Sequence, residues 1–275
     1  MEADKGDPSA YTLHMFPFSL YSIMVMYTYV LGNEALDDGG GIILSNKLVN
    51  LHRDENISEE YLAKINPKGL VPTLTGGTLS QPMPESLDIS YWLCSHYPWL
   101  LPEAKESKIR QLLRDLHAIQ GQCLSIPKGR RMDKIPCDAD ERLQRDDISQ
   151  EYRQALEYKQ KVHRETLENA LTDARVAEAE HQARALFRDV MTVRNAEDEW
   201  IFGNGPTVLD AHLVPFIIRR LDCNRDDLVP EALQEYAQKH AASVQWNYVM
   251  HGRPTMWNVS LGHVSDMAAE YNGPL

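Results

Sequence analysis

Cysteine is scarce in this chain, four in 275 residues, and no two stand in a C-x-x-C pair. Cys94, Cys123, Cys137 and Cys223 are scattered, which excludes a disulfide framework or a thiolate zinc site and points to reduced thiols in a cytoplasmic compartment. The ten histidines include no H-x-x-x-H pair, so no metal site is expected. Basic charge is short as well. Lys and Arg number 28 against 40 Asp and Glu, a formal net charge of −12 that argues against nucleic acid or an anionic membrane as the main partner. The basic cluster Lys128-Gly129-Arg130-Arg131 is closely followed by Asp138, Asp140 and Glu141.

Long hydrophobic runs are also missing. Ile23 to Leu31 is interrupted by Thr28 and is too short to cross a bilayer. Met1 to Ser9 is acidic and polar, with neither a basic n-region nor an apolar h-region, so no secretory signal is visible. Without such a signal, the N-x-S matches at Asn56 and Asn258 are read as chance. The rest is the composition of a soluble globular protein, 43% hydrophobic and 25% charged, long enough for two domains with their own cores.

The first hundred residues alternate strand and helix signals. Tyr11 to Phe16 reads as a strand, and Ser19 to Leu31 as a helix apolar on nearly all sides, with Gly32 as its C′ stop. Ile42 to Leu51 contains a second strand. Ser58 opens a short helix that ends near Asn66, because Pro67 disfavours helix in its predecessor. Thr73–Thr75 and Thr78–Ser80 around Gly76-Gly77 read as a hairpin. From Ser86 onward, Ile89, Trp92, Leu93 and His96 lie on one helical face.

Tyr97-Pro98 and Leu101-Pro102 mark a linker, and the remainder reads as helices. Ile109, Leu112, Leu113 and Leu116 define one amphipathic helix. Pro127 to Asp147 is a charged, proline-broken connector longer than most loops, hence functional or mobile. A long helical stretch runs from Tyr152 to about Met191. Gly203–Thr207 breaks it, and Thr207-x-x-Asp210 forms a capping box for the next helix.

The segment Asn66-Pro67-Lys68-Gly69-Leu70-Val71-Pro72-Thr73-Leu74 enters a strand through a proline, which has no N–H to give the ladder. A cis Val71–Pro72 bond would leave the N–H and C=O of Val71 free to pair with an extended peptide, as though it were one more strand. Glu85-Ser86 at the next helix start would hold that peptide's charged end. A carboxylate suits an α-ammonium, and a helix N-terminus with a hydroxyl suits an α-carboxylate.

These three segments, Asn66–Leu74, Glu85-Ser86-Leu87-Asp88-Ile89 and Gly203–Asp210, occur in an order that resembles the cytosolic glutathione transferases. The length and the long connector look most like fungal members tied to secondary metabolism, of the pseurotin-pathway type. The resemblance implies an α/β thioredoxin-like domain (residues 1–100) followed by an all-α domain (residues 101–275). It further implies that glutathione pairs with Val71 beside Pro72 and is gripped by Glu85 and Ser86. Leu70 belongs to the same glutathione-binding segment, and Asn56 or Lys68 would supply the contacts to the glycine carboxylate. Leu70 departs from the family, where many relatives carry a polar or basic residue.

A thiol with a pKa of ~8.5 must be activated, at ~1.4 kcal/mol per unit. The tyrosine of one branch of the family would fall on Met15, which cannot serve. The serine-type arrangement falls on Ser19 at the helix start, with Tyr21 and Ser22 in reserve, and Ser19 as a plain N-cap is the competing reading. The second substrate would be an apolar electrophile in a pocket drawn from Phe18, Tyr21, Leu116, Cys123, Trp246, Tyr248 and Trp257. The tail from Met250 would either close over the cleft as a lid or pack on the domain's back. Family membership implies a homodimer. A protein that binds glutathione without turnover stands as the alternative to a transferase.

Overall fold

Along Ala10–Met15 (β1) Tyr11, Leu13, His14 and Met15 are all buried, so this strand lies in the middle of a sheet covered on both faces. The computed structural model describes residues 10–34 and 41–275; the polar start Met1–Ser9 lies outside them. After β1 come α1 (Leu20–Asn33), β2 (Ile43–Leu48), α2 (Glu59–Lys64), β3 (Thr73–Gly76) and α3 (Ser86–His96). β1 pairs with β2 in parallel and with β3 antiparallel, from Tyr11 opposite Gly76 to His14 opposite Thr73.

α1 begins where Ser19, in extended conformation, accepts the N–H of Ser22 on its side chain. It is buried almost all round and packs on α3, which accounts for its nearly continuous apolar sequence. Gly32 does not stop it, contrary to the sequence expectation; the helix continues to Asn33. What Gly32 provides is close approach, since a Cβ there would meet the Tyr97 ring at 2.5 Å.

The expected Thr78–Ser80 strand does not form. Past the turn at Gly76 and Gly77, both with positive φ, the returning chain touches β3 only at a bridge between Leu74 and Met83. Pro82 and Pro84 flank Met83 and have no N–H, so a longer ladder cannot be built there.

The second half is helical: α4 (Glu106–Ala118), α5 (Ala139–Leu143), α6 (Gln150–Thr166), α7 (Asp173–Val193), α8 (Val208–Asp222), α9 (Glu231–Ala241), α10 (Val244–Met250) and α11 (Ala268–Tyr271). The face Ile109, Leu112, Leu113 and Leu116 of α4 is fully inside. α8 packs on α1, joining the two halves through one continuous core. Its capping box is present, with Asp210 buried and accepting from Thr207 N–H at 2.7 Å, Ile201 N–H at 3.1 Å and Tyr236 O–H at 2.5 Å.

The long connector is docked. Cys137 and Ala139 join Ile57, Leu62, Tyr152 and Leu156 in a small second core between α2 and α6. The tail returns to the first layer. β4 (Gly273–Pro274) pairs antiparallel with β2, giving a four-stranded sheet in the order β3-β1-β2-β4. The fourth strand thus comes from the chain's last residues instead of residues 78–80. Among the described residues no helix is long and apolar enough to cross a membrane.

Candidate functional site

Two turns meet at one end of the sheet. Continuing the β1–β3 register two residues beyond His14 and Thr73 sets Val71 level with Phe16, just ahead of the turn that starts α1. The Val71–Pro72 bond is cis. Among the described residues, neither the N–H nor the C=O of Val71 has a hydrogen-bond partner. The neighbouring carbonyls are taken: Leu70 accepts from Tyr61 O–H at 2.8 Å and Asn66 Nδ2 at 3.0 Å, and Gly69 accepts from Asn56 Nδ2 at 2.8 Å. Two free backbone groups at Val71 therefore follow two carbonyls that are already satisfied.

Glu85 is the residue before α3 and is exposed, and Ser86 is the helix's first residue and is buried. Lys68 Nζ lies 2.5 Å from Glu85 Oε1, a pair open to solvent that ties the two loops. Asn56 is buried with its amide committed to Gly69, alongside Lys159 Nζ of α6, which donates to the same carbonyl at 3.2 Å. Leu70 keeps an exposed side chain.

At the start of α1, Ser19 and Tyr21 are half-buried and line a cavity of about 640 Å³, together with Phe16, Phe18 and Leu20. Ser19 Oγ accepts from Ser22 N–H at 3.3 Å. A serine hydroxyl has two acceptor sites and one proton, so this capping leaves the O–H free to donate. Ser22 is elsewhere: it is fully buried and its Oγ accepts the N–H of Phe16. Burial pushes the Tyr21 phenol up, Arg220 and Arg219 opposing, so it stays a protonated donor at neutral pH. Met15 is fully buried.

Further lining comes from Ile126, from Met132 and Ile135 of the connector, from Leu171 between α6 and α7, and from Met256 of the tail. The sequence candidates divide here. Phe18 and Tyr21 line the cavity. Leu116 and Cys123 lie inside the core, the Cys123 thiol donating to Ala170 O at 2.7 Å. Trp257 sits edge-on to His52 at 4.6 Å, and Trp246 edge-on to Tyr27 at 5.4 Å. Tyr248 is half exposed.

Sequence reasoning missed Arg219 and Arg220. Both are buried on α8 and pulled down by burial to about 10, still cationic at neutral pH. Arg220 braces the cavity's Gly121–Ser125 turn through Gly121 O at 3.3 Å and Ser125 Oγ at 3.2 Å. The available signal was a basic doublet near the end of a helix that is buried on nearly every side.

Residues 41–105 match the family described as glutathione S-transferase, N-terminal domain. The chain has the glutathione transferase fold. It is similar to maleyl pyruvate isomerase, a bacterial glutathione S-transferase of the zeta class, at 20% identity and TM-score 0.53, over 90% of this chain and 99% of that one. A glutathione transferase family member from Pseudomonas fluorescens Pf-5, solved with two glutathione bound, is similar at 16% identity and TM-score 0.57, over 90% and 95%. Poplar glutathione transferase F1 is similar at 15% identity and TM-score 0.53, over 89% and 98%. No curated protein matches the sequence significantly. No group of three or more His, Cys, Asp or Glu that could hold a metal ion occurs among the described residues.

Proposed function

We propose that the protein is a glutathione transferase of the serine type, which binds glutathione along Val71 and directs its thiolate at an apolar electrophile. The observation that carries this reading is the unpaired N–H and C=O of Val71 at the cis Val71–Pro72 turn, in a chain whose Ser19 lines a cavity at the start of α1. Glutathione's cysteinyl backbone extends the sheet edge at Val71. Its α-carboxylate meets the α3 N-terminus and Ser86, and its α-ammonium joins Glu85. Lys68, already on Glu85, is within reach of the same anionic ligand.

The sulfur then lies at the start of α1, where the Ser19 O–H and the helix N-terminus both favour the thiolate. Thiolate addition to the electrophile gives a conjugate. With a conjugated C=C, addition, rotation about the new single bond and expulsion give the other geometric isomer; the similarity to a zeta-class isomerase keeps that outcome in view. The sequence resemblance extends the proposal to a cytoplasmic homodimer acting in fungal secondary-metabolite biosynthesis.

The competing reading is a protein that binds glutathione without turnover, and the observation in its favour is that Ser19 already caps α1. One experiment separates them. Glutathione binding is measured by calorimetry for the wild type and Glu85→Ala, then conjugation is assayed with an apolar electrophile. Loss of about 1.5–3 kcal/mol in Glu85→Ala is expected for a charged hydrogen bond. Unaltered affinity rejects the cradle, and tight binding with no turnover supports the competing reading.

A further inference from the structure

The cavity beside Ser19 is lined mainly by apolar side chains, yet two guanidiniums border it, the exposed Arg130 and the buried Arg219. Arg219 is 6% exposed and borders the cavity directly. Its Nε donates to Thr255 Oγ1 at 3.0 Å, and its Nη2 donates to Thr255 O at 2.7 Å and Phe18 O at 2.8 Å. Nη1 has no partner among the described residues, and no carboxylate there lies in salt-bridge range of Arg219. Asp222 reaches it only through the Thr255 hydroxyl, which donates to Asp222 Oδ2 at 2.6 Å. The side chain is thus pinned on two of its nitrogens, while the third keeps its N–H groups free of protein acceptors, on a residue that borders the cavity. Its bond to Phe18 places it against the residue that precedes Ser19.

A desolvated guanidinium without a carboxylate is costly unless an acceptor completes it, and in apolar surroundings it acts strongly on any negative charge that forms nearby. A thiolate adding to a C=C conjugated with a carbonyl creates such charge. The sulfur bonds to the β-carbon, the π pair moves to the α-carbon and on to oxygen, and an enolate results. Protonation at the α-carbon gives the conjugate; return of the pair with expulsion of the thiolate gives back the alkene. A substitution at an alkyl halide places no charge on an oxygen, because the halide carries it away.

We propose that Arg219 receives the carbonyl or carboxylate oxygen of the second substrate, which is therefore an apolar chain bearing an α,β-unsaturated carbonyl. This rests on the transferase reading above and narrows its substrate class. Rates with glutathione are measured for benzylideneacetone and for benzyl chloride, in the wild type, Arg219→Lys and Arg219→Gln. Arg219→Gln is expected to lower kcat/KM for benzylideneacetone by ~10²-fold, the size of losing one oxyanion donor, with Arg219→Lys in between. The loss on benzyl chloride should be far smaller than that on the enone, because that substitution puts no charge on an oxygen. Equal losses on both electrophiles, or none on the enone, overturn the proposal.

A second measurement needs no turnover: by calorimetry, Arg130→Gln, which removes the exposed guanidinium and keeps Arg219, should bind cinnamate at least ~10-fold more tightly than cinnamyl alcohol, as a charged hydrogen bond predicts. Equal affinities overturn the proposal whether or not the Arg219 variants fold. A wild type that turns over benzyl chloride but not the enone sinks this inference alone. A wild type that fails to bind glutathione sinks the transferase reading, while the cinnamate comparison still reports on Arg219.

Discussion

Replacing Ser19 separates two jobs that one hydroxyl can do together. Its oxygen accepts the N–H of Ser22 and so caps α1, and its proton is free to donate to a thiolate. Ser19→Ala removes both. Loss of the cap costs about 1 kcal/mol of stability, whereas glycine at an N-cap costs only a few tenths. Loss of a donor to a charged sulfur is worth about 1.5–3 kcal/mol. At about 1.4 kcal/mol per pH unit, that moves the titration midpoint of bound glutathione up by roughly one to two pH units. Ser19→Gly should therefore keep nearly all the stability and lose the thiolate, while Ser19→Ala loses both. The assay is the ultraviolet absorbance of the thiolate against pH in the saturated complex, beside urea unfolding of each variant. A wild-type midpoint in Ser19→Gly would refute the donor role and leave Ser19 a cap.

Acid should unfold the protein early. Burial, with Lys47 nearby, pulls His14 down to about 4; burial alone does the same to His117, and burial with His117 alongside holds His212 well below its ordinary value. The unfolded chain takes up these protons near pH 6.5 and the folded one does not. Stability present above that pH is therefore lost as it falls toward 4, by at most about 1.4 kcal/mol per histidine per pH unit. Urea midpoints from pH 7 to 5 should show it, with a shallower slope in His117→Gln; a flat profile contradicts the burial argument. The thiols should be sluggish, because burial raises all four, Cys94 to about 12. A thiol reagent on the native protein should label half-buried Cys223 first, and rapid labelling of Cys94 would be a refutation. Deleting residues 272–275 removes β4 and the Asn272 side chain that accepts the Leu48 N–H at 2.8 Å. Hydrogen exchange along Ile43–Leu48 should rise, while the β1–β3 ladder stays protected.

What the sequence determined by itself was local. Proline at 72 marked a strand entry because it has no N–H, Thr207 and Asp210 announced a capping box, and the apolar spacing of α4 named its buried face; of the face read on α3, Ile89 and Leu93 are buried while Trp92 is half-buried and His96 is exposed. These signals lie within a few residues of one another, where backbone chemistry decides. The same holds for Ser19 at the start of α1. The tertiary structure decided everything that depends on residues far apart in the chain. Gly32 read as a helix stop until Tyr97 was seen lying on it. Residues 78–80 read as a strand, yet the sheet takes its fourth strand from Gly273–Pro274, because two prolines spoil the nearer partner and the edge of β2 accepts the tail. Leu116 and Cys123 have the pattern of pocket residues and turn inward, while Arg219 reaches the cavity from α8 across 200 residues of chain separation from Phe18. Periodicity tells which side of a helix is apolar. It does not tell whether that side meets the core or an open cavity, because that depends on what packs against it.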